Sequence, residues 1–501
     1  VGVSLFLHLT SLPFIEDDAY IHIRNSAHLW EFGLPFFNLS EPCLSSSSLL
    51  WMVLTSPLAA LGGSQEYGLA ILNGILSVLT ANNAAKISKK LWPHPNSFSF
   101  VITSALVYAA ILPSSLALME SAAALFFMTV VVLNVLNRSP AWAGMAVLLP
   151  LIRPEYILML PLLAVHRVRA QRWSYSAVEI LLPASLICAL GGWYLSVFGI
   201  TIPQSIIAKS VIYQISFQEF CTFLFRGLTG SSIPLTITLI WLITFLLLLL
   251  VNIWQVRTIT RFQSPSFRVS LTILIFPFLL ILLYAMRRVL LFPWYIPLIS
   301  VPVILALTPL WQRKWNFSSC LGAIGLLPIF VTGVLSSLIT LLPEYSVFGA
   351  SGCRAATLRK IGVVLASIYP ESTIVAPEIG GLGRGFSGDI VDAAGLASPK
   401  VVPHHPLRIP EQRAAGYLGS VPPALVGEIR PDFIVGLPTL LAAVAKSAEI
   451  AEYERIEVPI TYTTFSGIQH PINVWGNNYV IIFARKSLAQ AVQNALLKID
   501  G

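Results

Sequence analysis

Residues 49–61, Leu49-Leu50-Trp51-Met52-Val53-Leu54-Thr55-Ser56-Pro57-Leu58-Ala59-Ala60-Leu61, decide how the chain is threaded. The run is apolar, but it falls short of the roughly 20 residues a helix needs to cross a hydrocarbon core, and it contains Pro57. We read it as a helix lying in the outer interface rather than a span. Val1 to Ile15 then runs outward, residues 16–66 form an outer loop, and Tyr67 to Ala85 returns inward. Read as a span, residues 49–61 would put every later loop on the opposite side.

The basic residues support this choice. Lys86, Lys89 and Lys90, then Arg138, then Arg167, Arg169 and Arg172, then Arg257, Arg261 and Arg268, and finally Arg313 and Lys314 fall in alternate short loops, a positive-inside pattern. The net charge of +8 is therefore a membrane signature and implies no nucleic-acid partner. Composition agrees: 56% of the 501 residues are hydrophobic, 11% are charged, and the mean hydropathy is +0.77. Further spans are expected at Phe98 to Leu112, Leu116 to Leu136, Trp142 to Ile152, Tyr156 to Val165, Ser176 to Phe198, Ile233 to Trp254, Val269 to Tyr284, Leu290 to Leu310 and Cys320 to Leu341. The two around Arg153-Pro154-Glu155 are short enough to be half-length helices meeting near the outer side.

About eleven spans place the N-terminus in the cytoplasm and the C-terminus outside. The chain opens at Val1, so either its start lies upstream or the first run is a short signal anchor. From residue 343 to 501 the sequence turns polar and mixed. Short β-like runs (Thr373 to Ala376, Phe433 to Val435, Tyr479 to Ala484) alternate there with helical stretches (Thr357 to Tyr369, Leu440 to Glu449, Leu488 to Leu497). The expected fold class is a multi-span α-helical membrane domain, 1–342, followed by an extracytoplasmic α/β domain. The five cysteines show no metal-ligand spacing and no disulfide framework; a pairing of Cys43 with Cys353 stays open because both would face outward. His404-His405 has no supporting ligand spacing and reads as a solvated loop, so no metal site is assigned. The glycine-rich stretch Gly380 to Gly385 lacks a nucleotide-binding context and reads as a flexible turn.

The polar cluster Glu16-Asp17-Asp18-Ala19-Tyr20-Ile21-His22-Ile23-Arg24 follows the first apolar run directly. Carboxylates at the outer end of a span call for a reason. Acids at a helix start also cap it and suit its dipole, which is the plain alternative. A carboxylate beside a hydroxyl can accept its proton, and fixed positive charge can hold a phosphate leaving group. The outer-facing cations are Arg24, Arg153, Lys209, Arg287 and Arg288. Arg287-Arg288 stands out because it breaks the positive-inside rule, although snorkelling to headgroups would also place it there.

The order of these motifs resembles the GT-C superfamily: Asp17-Asp18-Ala19-Tyr20 after the first span, Met119-Glu120-Ser121, Arg153-Pro154-Glu155, Pro203-Gln204-Ser205 with Ala208-Lys209, and Arg287-Arg288 with Phe292-Pro293-Trp294-Tyr295. Within it the chain is similar to mycobacterial-type terminal arabinofuranosyltransferases, including Ala376-Pro377-Glu378-Ile379-Gly380 and Asp389 to Leu396 in the outer domain. The resemblance implies inverting sugar transfer from a polyprenyl-phosphate donor, on the outer face of the bacterial cytoplasmic membrane, to a glycan, lipid or protein. It implies Asp17 as general base, with Asp18 second, and Lys209, Arg287 and Arg288 on the donor phosphate. Tyr20, His22, Arg24, Glu120, Arg153, Glu155 and Tyr295 would line the cavity. It requires no cofactor beyond the lipid-linked donor and leaves a divalent metal and membrane-complex partners open. Glu155 stands where many relatives have Asp, and Gln204 where many have Asn. Leu44-Ser45-Ser46-Ser47-Ser48 replaces a Gly/Tyr/Thr-type stretch, which leaves the acceptor undefined. The rival readings are a non-catalytic subunit scaffolding a membrane assembly and a lipid or sugar transporter.

Overall fold

The computed structural model describes residues 1–91, 97–168, 173–199, 202–229, 265–307, 343, 348–407, 418–463 and 467–497. The spans expected at Ile233 to Trp254 and Cys320 to Leu341 lie outside these residues.

Helix α1 (Gly2–Thr10) leads through a 3-10 turn into α2 (Asp17–Phe32), which stops at Gly33, in the left-handed conformation that glycine adopts freely. The run quoted above becomes α3 (Leu49–Thr55) and a stretch of 3-10 turns, Ser56–Ser64, in which Gly62 at φ 54° breaks the helix. Next come α4 (Gln65–Leu91), α5 (Ser97–Leu116) and α6 (Ser121–Leu136). Pro154 then interrupts α7 (Ala141–Ile152): it disfavours helical backbone at the residue before it, and Arg153 is extended at φ −151°, ψ 111°. α8 (Met159–Val168) resumes beyond, so the two half-length helices expected from the sequence are present. The membrane part continues with α9 (Trp173–Phe198), α10 (Gln204–Ile212), α11 (Phe217–Thr229), α12 (Pro265–Arg287) and α13 (Ile296–Leu307).

Among the described residues, two helical stretches are long and apolar enough to cross a membrane, Leu49–Leu91 and Arg268–Arg287. The kink at Gly62 leaves α4 as the crossing part of the first, about 40 Å long at 1.5 Å per residue. α9 and α12 expose Leu181, Leu195, Leu282 and Met286, side chains a lipid-facing helix can carry. α1 lies close against α4 because Gly74 carries no side chain there: Ser4 Oγ donates to the Gly74 carbonyl at 3.1 Å.

The C-terminal domain begins with α14 (Gly349–Ile368), followed by β1 (Ile374–Ala376), α15 (Gly380–Gly385), β2 (Ile390–Asp392), α16 (Pro423–Ile429), β3 (Phe433–Gly436) and α17 (Pro438–Leu441). It ends with β4 (Tyr453–Pro459), the hairpin β5 (Thr461–Thr463) and β6 (Gln469–Pro471), β7 (Tyr479–Arg485) and α18 (Lys486–Leu497). The sheet runs β2-β1-β3-β7-β4, parallel among its first three strands and antiparallel from β3 onward. Phe433, Ile434, Val435 and Ile482 are fully buried in its centre.

Three expectations change here. The helix expected over Leu440 to Glu449 is the short α17 followed by 3-10 turns. Cys43 and Cys353 are both free and buried, and the Cys43 thiol faces the Leu396 carbonyl. Gly380 to Gly385 is the helix α15, wedged between α2 and α14. A Cβ at Gly380 would overlap the Asp17 carbonyl, and one at Gly381 the Ala355 carbonyl, so glycine here allows close approach rather than flexibility.

Candidate active site

Helix α2 has two working faces, and its 3.6-residue period assigns the polar cluster between them. Asp17, Tyr20 and Arg24 face the C-terminal domain. The Asp17 carboxylate accepts the N–H groups of Gly380 and Gly381 at 3.0 and 2.7 Å. The Tyr20 ring lies 6.0 Å from the Arg359 guanidinium. Arg24 donates to the carbonyls of Phe37, Gly383, Phe386 and Gly388 at 2.7 to 2.8 Å. Asp18, Ile21 and His22, turned away from that domain on the neighbouring face, line a cavity whose space, counting its opening to solvent, is about 360 Å³.

The remaining walls come from breaks in regular structure. Ser45, Ser46 and Ser47 belong to the loop before α3. Met119 and Glu120 occupy the α5–α6 turn, just after Leu118, whose φ of 62° strains the backbone by on the order of 1–3 kcal/mol. Arg153 is turned inward by its extended backbone before Pro154. Ser205 and Lys209, four residues apart, share one face of α10. Trp294 follows Pro293, and Ser121 Oγ holds its carbonyl at 2.7 Å. Leu396 closes the cavity from the C-terminal domain.

Charge in the cavity is ordered. Glu120 takes Arg153 Nη1 at 2.9 Å and faces His22 Nε2 at 3.4 Å. Glu155 lies behind, 4.0 Å from Arg153 Nε, and accepts the Tyr284 hydroxyl. The Tyr295 ring is stacked 4.2 Å from the Arg153 guanidinium. Even so, Arg153 Nη2 is buried without a hydrogen-bond partner among the described residues. Lys209 Nζ is 3.8 Å from Asp18, whose side chain keeps 26% of its exposure, and 5.0 Å from the Phe292 ring. A cavity with an accessible carboxylate, a lysine and a guanidinium with spare N–H groups is equipped to bind an anion and to receive a proton.

A search of solved structures bears on what folds this way. ArnT from Cupriavidus metallidurans bound to undecaprenyl phosphate aligns over 96% of this chain and 97% of its own, at a TM-score of 0.54 and 14% identity. The fold is that of ArnT. The apo form of ArnT aligns over 96% of each chain, with a TM-score of 0.51 and 16% identity. At these identities the likeness is one of fold, and it runs through both the helical part and the C-terminal domain. No description of a known protein family matches the chain. No curated protein matches it either.

Within the ArnT fold, the expected site residues divide. Asp18, His22, Glu120, Arg153 and Lys209 meet in the cavity. Glu155 and Tyr295 stand behind Arg153. Asp17, Tyr20 and Arg24 do not line it, because the helical period turns them into the domain junction. Arg287 ends α12 and Arg288 follows it, both exposed and also outside the lining. The sequence reading missed Ser205 and Trp294 as lining residues, although each lies within a quoted motif, and it treated the serine run only as a departure. Among the described residues, no three His, Cys, Asp or Glu side chains are grouped to hold a metal ion.

Proposed function

We propose that this chain is an integral membrane glycosyltransferase of the GT-C type, moving a sugar from a polyprenyl-phosphate donor to an acceptor hydroxyl on the extracytoplasmic face of a bacterial inner membrane. About eleven spans would carry the cavity, with the N-terminus cytoplasmic and the C-terminal domain outside. The observation that supports this reading is the convergence of Asp18, Lys209 and Arg153 on one cavity, in a fold whose ArnT representative binds undecaprenyl phosphate.

The chemistry follows from that arrangement. Asp18 takes the proton of the acceptor hydroxyl as its oxygen attacks the anomeric carbon. The bond from that carbon to the phosphate oxygen breaks on the opposite side, inverting the centre. The electron pair leaves with the polyprenyl phosphate, whose charge Arg153 Nη2 and Lys209 Nζ stabilise. Asp18 replaces Asp17 as our candidate base because it faces the cavity and keeps some exposure. Arg153 and Lys209 replace Arg287 and Arg288 on the phosphate for the same reason. The reading needs no cofactor beyond the donor lipid.

The test is donor consumption by the purified protein in nanodiscs, using a panel of polyprenyl-phosphate sugars. Arg153→Ala should cut kcat/KM for the donor by roughly 10²-fold or more, and Arg288→Ala should behave like the parent protein. Absence of turnover with every donor sinks the transferase reading and favours the scaffold. Movement of lipid-linked sugar across a sealed bilayer, without its cleavage, favours the transporter.

A further inference from the structure

Resting on that reading, we propose that the cavity takes a neutral, hydroxyl-rich acceptor, a glycan hydroxyl rather than a phosphate- or carboxylate-bearing headgroup, through the wall formed by Ser45, Ser46, Ser47 and Ser205.

Charge balance is the first argument. Two acids, Asp18 and Glu120, and two bases, Arg153 and Lys209, line the cavity. The bases are the groups assigned to the donor phosphate, and both already face an acid. Once a phosphodiester donor is bound, the site carries an excess of about one negative charge. A second anion arriving as acceptor meets no uncommitted cation among the lining residues, and like-charge juxtaposition in a confined site is costly.

The serine wall is the second and independent argument. Ser205 is 4% exposed, and its hydroxyl has no hydrogen-bond partner among the described residues although it lines the cavity. A buried unpaired hydroxyl costs free energy until a ligand completes it. Ser45 Oγ accepts Asn25 Nδ2 at 2.8 Å, which leaves its own O–H free to donate. Ser46 lies 3.0 Å from His22 Nδ1 and accepts the Ser48 N–H at 3.0 Å, so His22, held in turn by Glu120, fixes this wall in place. Short hydroxyls able to donate and accept match the mixed donor and acceptor character of sugar hydroxyls. A phosphate offers acceptors only.

The experiment compares an alkyl glycoside with the phosphate monoester of the same glycoside as acceptors, at saturating donor, reading glycosylated product and donor cleavage separately. The neutral glycoside should be the better acceptor by about tenfold or more in kcat/KM. Ser205→Ala and Ser45→Ala should each raise its KM roughly tenfold, with a smaller change in donor KM. Equal or better use of the phosphorylated acceptor overturns the inference, as do serine variants that raise the donor and acceptor KM together. Donor cleavage with product from the phosphorylated acceptor alone overturns the acceptor class while leaving the transferase standing. No donor cleavage under any condition overturns both.

Discussion

Asp17 and Asp18 are adjacent and chemically identical, yet their replacement by Asn should have opposite consequences. Asp18 faces the cavity, pairs with Lys209 at 3.8 Å and retains 26% exposure. Such a pair contributes at most about 1 kcal/mol to stability. Asp18→Asn should therefore leave the fold intact and slow transfer by the 10²- to 10⁴-fold that a positioned base supplies. Asp17 is 5% exposed and accepts two backbone N–H groups at 2.7 and 3.0 Å. An Asn amide offers its oxygen to one of them and turns its NH₂ toward the other, losing one charge-assisted bond worth about 1.5–3 kcal/mol. Burial pushes the Asp17 carboxyl up, against the pull of Arg354 and the two amides, so a neutral side chain recovers part of the desolvation cost. The net loss should be about 1.5 kcal/mol, a factor on the order of ten in the folding equilibrium. Thermal unfolding and donor consumption, measured on the same nanodisc samples, separate the two effects. An Asp17→Asn protein that melts like the parent but has lost turnover, beside an Asp18→Asn protein that still turns over, would refute the helix-face argument.

Three further outcomes follow from the same contacts. Glu16 and Glu378 share Arg354 at 3.2 and 2.8 Å, and burial raises both carboxyls to about 7 from an ordinary 4.5. Because the folded values lie above the unfolded ones, their contribution to stability is complete below about 4.5 and is lost as pH rises toward 7. The protein should melt higher at pH 5 than at pH 8, and Glu16→Gln with Glu378→Gln should flatten that slope; a slope unchanged in the double variant would count against the junction as its source. Gly380→Ala forces a Cβ onto the Asp17 carbonyl, so α2 and α15 must separate; hydrogen exchange should rise at Gly380 and Gly381, and unaltered protection there would contradict the packing. Glu120→Gln leaves Glu155, 4.0 Å away, as the one carboxylate paired with buried Arg153 among the described residues, and should destabilise by about 3 kcal/mol, read as a lower denaturation midpoint.

Much of the helical part was readable in one dimension because its signals are local. Hydropathy and Pro154 each act within a few residues, and the paired short helices at Ala141–Ile152 and Met159–Val168 follow from them. The polar cluster of α2 was equally visible. Which of its acids faces the cavity depends on where the helix begins and on what covers its other face. The cover is α15, whose glycines read alone look like a flexible turn and in place are the close-packing surface for Asp17 and Arg24. β2 and β4 escaped notice for a related reason: three buried residues at Ile390–Asp392 and a largely exposed edge at Tyr453–Pro459 carry too little periodicity to register without their neighbours.

The sequence by itself thus determined the apolar, helical character of the first part, the polar C-terminal domain and the set of acids and bases from which a site is built, since each depends on composition and short-range spacing. Only the tertiary structure chose among them. It sent Asp17 and Arg24 to the junction, left Arg287 and Arg288 exposed, and brought Asp18, Glu120, Arg153 and Lys209 to one cavity with the serine wall. That choice depends on contacts between residues up to several hundred positions apart, and on which face of each helix meets another, which no local pattern encodes.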